Sequence, residues 1–86
     1  MQPSENQEHR RKLAEEDERL RRIRQIVDIA CIGLSLGVMT RKGAQDVMAD
    51  TRRKVLRLAP GDDDKYDLIY APRLRRIARQ FGGLDI

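Results

Sequence analysis

The chain carries one cysteine and one histidine, a pair of side chains that often serve as nucleophile and base. Such a pair must meet in a pocket that excludes water. Cys31 follows His9 by 22 residues, which is about 33 Å along one continuous helix. A helix through both residues keeps them apart, and a single Cys and His need further ligands to hold zinc. We therefore expect no catalytic site, no metal site and no cofactor.

Two other short motifs also lack the pattern that their chemistry requires. Asp62, Asp63 and Asp64 form an acidic cluster, but a calcium loop needs ligands at alternating positions and a closing Glu. Helix capping explains the cluster better. Gly82 and Gly83 come near the end of the sequence with no helix to follow, so they do not form a phosphate-binding loop. These motifs indicate no enzyme and identify no family.

Basic side chains are the remaining candidates for a ligand contact. The 18 Lys and Arg are largely balanced by 14 Asp and Glu, which leaves a net charge of +4 and a surface of mixed charge. One cluster differs, because no acid lies between Pro72 and Gln80. Its members are Arg73, Arg75, Arg76 and Arg79. They are candidates to contact phosphate groups or nucleic acid, or they form the solvated back of an amphipathic helix.

A long first helix, predicted from about residue 6 to residue 36, precedes these basic residues. Residues 1–7 are polar and aperiodic, so we expect them to be disordered. Residues 8–22 contain acids followed four residues later by bases, as in Glu15 and Arg19. Each such pair stabilises an isolated helix by about 0.2–0.5 kcal/mol. Residues 8–22 can therefore project from the domain as a charged helix.

The middle of the first helix is apolar on two opposite sides, whereas a surface helix needs only one apolar stripe. The first stripe comprises Leu13, Leu20, Ile23, Val27, Ala30 and Leu34. The second comprises Ile26, Ile29, Ile32 and Leu36. We expect the first stripe to pack against later helices of the same chain. The second is then the candidate interface with a partner.

Turn and cap residues predict the rest of an all-α bundle. Gly37 is suited to end the first helix in a left-handed conformation, and Thr40 to cap an antiparallel second helix over about residues 41–58. A third helical segment, over about residues 64–81, contains Pro72, which kinks or restarts it. We expect a single domain over residues 8–83 and a short tail over residues 84–86.

This pattern predicts a helical protein–protein interaction module that is not an enzyme. With 86 residues and few aromatic side chains, the chain gains core area by forming a homodimer or joining a larger complex. The alternative is a nucleic-acid-binding protein that uses the C-terminal arginines. Cys31 has no second cysteine in the sequence, which fits a reducing cytoplasm. No apolar run reaches the roughly 20 residues that a membrane span requires, so we expect no membrane partner.

Overall fold

The computed structural model describes residues 3–86, with side chains from Asn6 onward. Helix α1 spans Pro3–Ser35. It begins about three residues earlier than predicted, so residues 3–7, which we expected to be disordered, are helical. Proline suits a first turn, because its missing N–H would have no acceptor within the helix. Residues 1 and 2 of the predicted disordered segment lie outside the described residues.

Helix α1 sets the length of the molecule. Its 33 residues extend for about 50 Å at 1.5 Å per residue, and the longest dimension of the molecule is 57 Å. The side chains of residues 7–22 are all exposed, and the first buried side chain is that of Ile23. The packed part of α1 is therefore its C-terminal third.

A short turn reverses the chain between α1 and α2. Gly37 adopts the left-handed conformation predicted for it, with φ of 70°. The Oγ1 of Thr40 then accepts a hydrogen bond of 3.0 Å from the backbone N–H of Gly43. This cap opens α2, which spans Arg41–Leu58 as predicted. Met39 lies over Gly33 of α1, and the two helices run antiparallel from that point.

The third segment is one continuous helix with a widened turn in its middle. It consists of α3 (Asp63–Lys65), a π-helical turn (Tyr66–Tyr70) and α4 (Ala71–Gln80). The N–H of Ala71 donates to the carbonyl of Tyr66, five residues earlier. In an ordinary α-helix the ring of Pro72 would collide with the carbonyl of Leu68, to which it cannot donate. The predicted break at Pro72 therefore takes the form of a π turn.

The core lies where α2 and the third segment cover one side of α1. Its largest fully buried side chains are Leu34, Leu74, Val27 and Val55. Ile23, Ala30 and Cys31 of α1, Ala44 and Thr51 of α2, Tyr66 of the π turn and Ala78 of α4 complete it. The first predicted stripe is therefore buried from Ile23 onward. Leu20 is 40% exposed at the edge of the packed body, beside Tyr66 and Tyr70, and Leu13 is 47% exposed.

Phe81 lies outside the core, since its side chain is 66% exposed. Helix α4 ends at Gln80, so Phe81 lies in the turn that follows and leaves the helical register. The adjacent Gly82 packs its backbone against the carbonyl of Leu34, where no β-carbon would fit.

An ion pair links α2 to the π turn. The Nε of Arg52 lies 3.0 Å from Oδ1 of Asp67, and its Nη2 lies 3.3 Å from Oδ2. The hydrogen bond from Arg52 lowers the pKa of the Asp67 carboxyl. No helix within residues 3–86 combines the length and the apolar character needed to cross a membrane.

Candidate protein-interaction surface

The side of α1 that faces away from the core carries three large aliphatic side chains, which we call the outer stripe. Its members are Ile29, Ile32 and Leu36, and they are 70%, 62% and 64% exposed. Ile29 and Ile32 lie three residues apart in α1, and Leu36 directly follows the helix at the four-residue spacing that continues the same face. The buried residues Val27 and Leu34 lie on the opposite face. Both apolar sides predicted for this helix are therefore present.

Ile26 differs from the other three residues of the predicted interface. Its side chain is half-buried and packs against the core cluster. It lies on the flank of α1 that faces α2, so the chain's own second helix covers part of it. Ile26 links the core to the outer stripe and is not a freely exposed contact residue.

A groove of about 350 Å³ runs beside the outer stripe, between α1 and α2. Its lining is mostly aliphatic, and Ile29 belongs to both the groove and the outer stripe. The other residues of the lining are Ile26, Ala30, Gly33, Met39, Val47, Asp50, Thr51 and Lys54. The groove widens the apolar surface from one helical stripe to a shallow concave face.

Charged groups at the edges of this face are paired within the chain. Asp50 at the groove contacts the Nζ of Lys54 at 2.8 Å and the Nη2 of Arg53 at 3.3 Å. The hydrogen bond from Lys54 is the larger cause of the lowered pKa of the Asp50 carboxyl. On the α4 side, Asp28 lies 3.6 Å from the Nη2 of Arg73. A partner that covers the apolar face would therefore leave no lone carboxylate at these two edges.

The four C-terminal arginines do not converge on one site. Arg73 points toward α1, where it contacts Asp28. The Nε of Arg79 donates to the carbonyl of Arg75 at 3.5 Å. Arg76 and Arg79 line an open depression on the outer side of α4, together with Pro72 and Gln80. The candidate anion contact is therefore reduced to Arg76 and Arg79.

The cysteine and the histidine are as far apart as the sequence predicted. Both belong to α1, so about 33 Å of continuous helix separates them. Burial raises the pKa of the Cys31 thiol, which disfavours the nucleophilic thiolate. Within the described residues there is no group of three or more His, Cys, Asp or Glu side chains that could hold a metal ion.

Sequence reasoning missed the residues that border the outer stripe at the end of α1. Val38 is 78% exposed in the turn, and the backbone of Phe81 lies beside Gly37. The exposure of Phe81 depends on where α4 ends, which its apolar periodicity does not reveal. The exposure of Val38 could have been predicted, because it is a large aliphatic residue in a short turn and belongs to neither helical stripe.

No protein-family model, curated protein or solved structure matches this chain.

Proposed function

We propose that this protein is a non-enzymatic interaction module, a small accessory subunit or regulator that binds another protein chain through the outer stripe. The observation that carries the proposal is the exposure of Ile29, Ile32 and Leu36 on one face of α1. Single exposed aliphatic residues are ordinary on protein surfaces, but a contiguous group is typical of an interaction site. Here the group continues into the groove between α1 and α2.

The size of the stripe supports a reversible complex. Fully burying an Ile or Leu side chain contributes about 1.5–3 kcal/mol. Covering three side chains that are about two-thirds exposed then contributes roughly 3–6 kcal/mol. A partner that buries a matching area doubles this gain to roughly 6–12 kcal/mol, against an association cost of about 4–15 kcal/mol. The gain from burial and the cost of association are therefore similar in size, as expected for a complex that forms and dissociates reversibly.

The surroundings of Cys31 support a non-enzymatic role. The thiol is buried in the core, its pKa is raised, and the histidine is at the other end of α1. We extend the proposal to a cytoplasmic location, because Cys31 has no second cysteine with which to form a disulfide in this sequence.

The test compares three tagged forms of the chain in the cells that naturally express it. The forms are the wild type, Ile32→Glu and Leu68→Glu. Leu68 is a matched control, since it is an aliphatic residue that is 77% exposed but lies in the π turn. After chemical cross-linking in the cells, we expect Ile32→Glu to lose the cross-linked complexes of the wild type and Leu68→Glu to keep them. Complexes that survive Ile32→Glu unchanged would contradict the proposal.

A second candidate function is binding to nucleic acid through Arg76 and Arg79. The observation that favours it is the open depression that these two side chains share, whose lining contains no acidic residue. Two arginines at one surface can contact adjacent phosphates of a strand. Nucleic-acid binding would use α4. The leading proposal uses the face of α1 that points away from the core.

A further inference from the structure

We propose that the partner on the outer stripe is a second copy of this chain, bound through antiparallel packing of the two α1 helices about a two-fold axis near Ile32. This inference rests on the proposed function of the outer stripe and adds the identity of the partner and its orientation. It makes the apolar face of α1 the centre of a symmetric homodimer.

The spacing of the outer stripe makes it complementary to itself in the antiparallel orientation. Ile29 precedes Ile32 by three residues, and Leu36 follows Ile32 by four. When two such helices pack antiparallel about Ile32, each Ile29 lies opposite the partner subunit's Leu36. The two Ile32 side chains meet beside the axis. Such a contact uses the same patch on both subunits, as a two-fold interface requires.

The charge pattern along α1 favours a second copy. From Gln25 to Leu36 the sequence contains one charged residue, Asp28, and the chain's own Arg73 contacts it. The centres of protein interfaces are depleted in charge in this way. An unrelated partner would need its own uncharged face of similar length, whereas a second copy supplies one that matches in length and composition.

The charges before Gln25 select the antiparallel orientation over the parallel one. Arg21 and Arg22 are exposed and continue α1 beyond the stripe. In a parallel pair they would lie next to the same residues of the partner, and such like-charge contacts are unfavourable. In an antiparallel pair centred on Ile32 they extend past the end of the partner subunit's α1, which stops at Ser35.

A dimer on this face would need more surface than the three side chains of the outer stripe. The chain has an accessible surface of 6527 Å², and a standard interface takes roughly a tenth of a small protein's surface, about 650 Å² here. Besides the outer stripe, Val38 and the groove residues Met39 and Val47 are available to reach this area. We therefore expect the average molecular mass in sedimentation to rise with protein concentration from 10.0 kDa toward twice that value.

The experiment combines sedimentation of the wild type with cysteine cross-linking. Cys31→Ala first removes the native thiol, and then Ile29→Cys, Ile32→Cys or Leu36→Cys adds one new thiol on the exposed stripe. We expect Ile32→Cys to form a disulfide dimer on mild oxidation. Ile29→Cys alone should not, since its two copies would lie about 10 Å apart along the helices, beyond the reach of a disulfide. A mixture of Ile29→Cys and Leu36→Cys should form the mixed disulfide.

Failure of this inference can be distinguished from failure of the proposed function. Concentration-dependent dimers in the wild type, with cross-links in the antiparallel pattern, support both. Disulfides between like positions at all three sites, with no mixed product, would indicate a parallel pair and overturn the inference. A purified wild type that sediments at 10.0 kDa at all concentrations also overturns it, while loss of cellular complexes in Ile32→Glu would still support the proposed function. Leu68→Cys, on the same Cys31→Ala background, controls for random collision.

Discussion

The hydroxyl of Tyr66 is the least favourable feature of the core, and removing it should stabilise the protein. The side chain is 2% exposed, and its Oη has no hydrogen-bond partner within the described residues. A buried hydroxyl without a partner costs about 1–3 kcal/mol. Tyr66→Phe keeps the ring, which packs against Tyr70 with ring centroids 5.8 Å apart. We expect it to raise the free energy of unfolding at pH 7 by about 1–2 kcal/mol.

The same hydroxyl gives the wild type a pH dependence that Tyr66→Phe should lack. Burial raises the pKa of Tyr66 from 10.0 to about 12. The unfolded chain therefore loses this proton at lower pH than the folded chain, so the stability linked to Tyr66 is complete below about pH 10 and falls as the pH rises to 12. Since one pKa unit corresponds to 1.36 kcal/mol, the wild type should lose about 2–3 kcal/mol over this range relative to Tyr66→Phe.

Urea unfolding followed by circular dichroism measures both effects. The titrations run at pH 7, 10, 11 and 12 on three proteins that carry Ile32→Glu to keep them monomeric, with either no further change (the reference for wild-type Tyr66), Tyr66→Phe or Tyr70→Phe. Tyr70→Phe is the matched control, because it removes the same group from a half-buried ring. A Tyr66→Phe variant that is at least 1 kcal/mol less stable than the wild type at pH 7 would refute the reasoning, since it would mean that the hydroxyl is satisfied in solution.

Three further variants test other parts of the structure. Gly82→Ala should lower the free energy of unfolding by about 1–3 kcal/mol in urea titrations, because its β-carbon overlaps backbone carbonyls of α1 and α4. Thr40→Ala should cost about 1 kcal/mol in thermal unfolding through loss of the α2 cap. If α4 binds nucleic acid, Arg76→Glu with Arg79→Glu should abolish a low-salt gel shift that the wild type shows; no shift by the wild type would refute that function.

The fold was predictable wherever local chemistry decides it. The cap at Thr40 and the left-handed Gly37 fix the start of α2 and the end of α1, and both were evident in the sequence. The π turn was not. Pro72 predicts a disruption of the helix, but whether the chain bends, restarts or widens depends on how Tyr66 and Leu74 reach the core on either side of it.

The candidate surface was predictable in its centre and not at its edges. Two opposite stripes on one helix already separate Ile29, Ile32 and Leu36 from the core side. The burial of Ile26 depends on the distance between α1 and α2, which periodicity does not contain. The ion pair between Arg52 and Asp67 joins residues 15 positions apart across two elements, so no local spacing predicts it.

The position of α1 explains why one helix would serve both the core and an interface. Within the described residues α1 packs against α2 on one flank and α4 on the other, and the sequence offers no Trp and one Phe with which to enlarge that core. Between Gln25 and Leu36, the face bearing the outer stripe is covered by no other element of the described chain. A second subunit on that face would enclose α1 between Gln25 and Leu36 on all sides. The stability of this segment would then depend on association, because whatever binds only the folded chain adds to its stability.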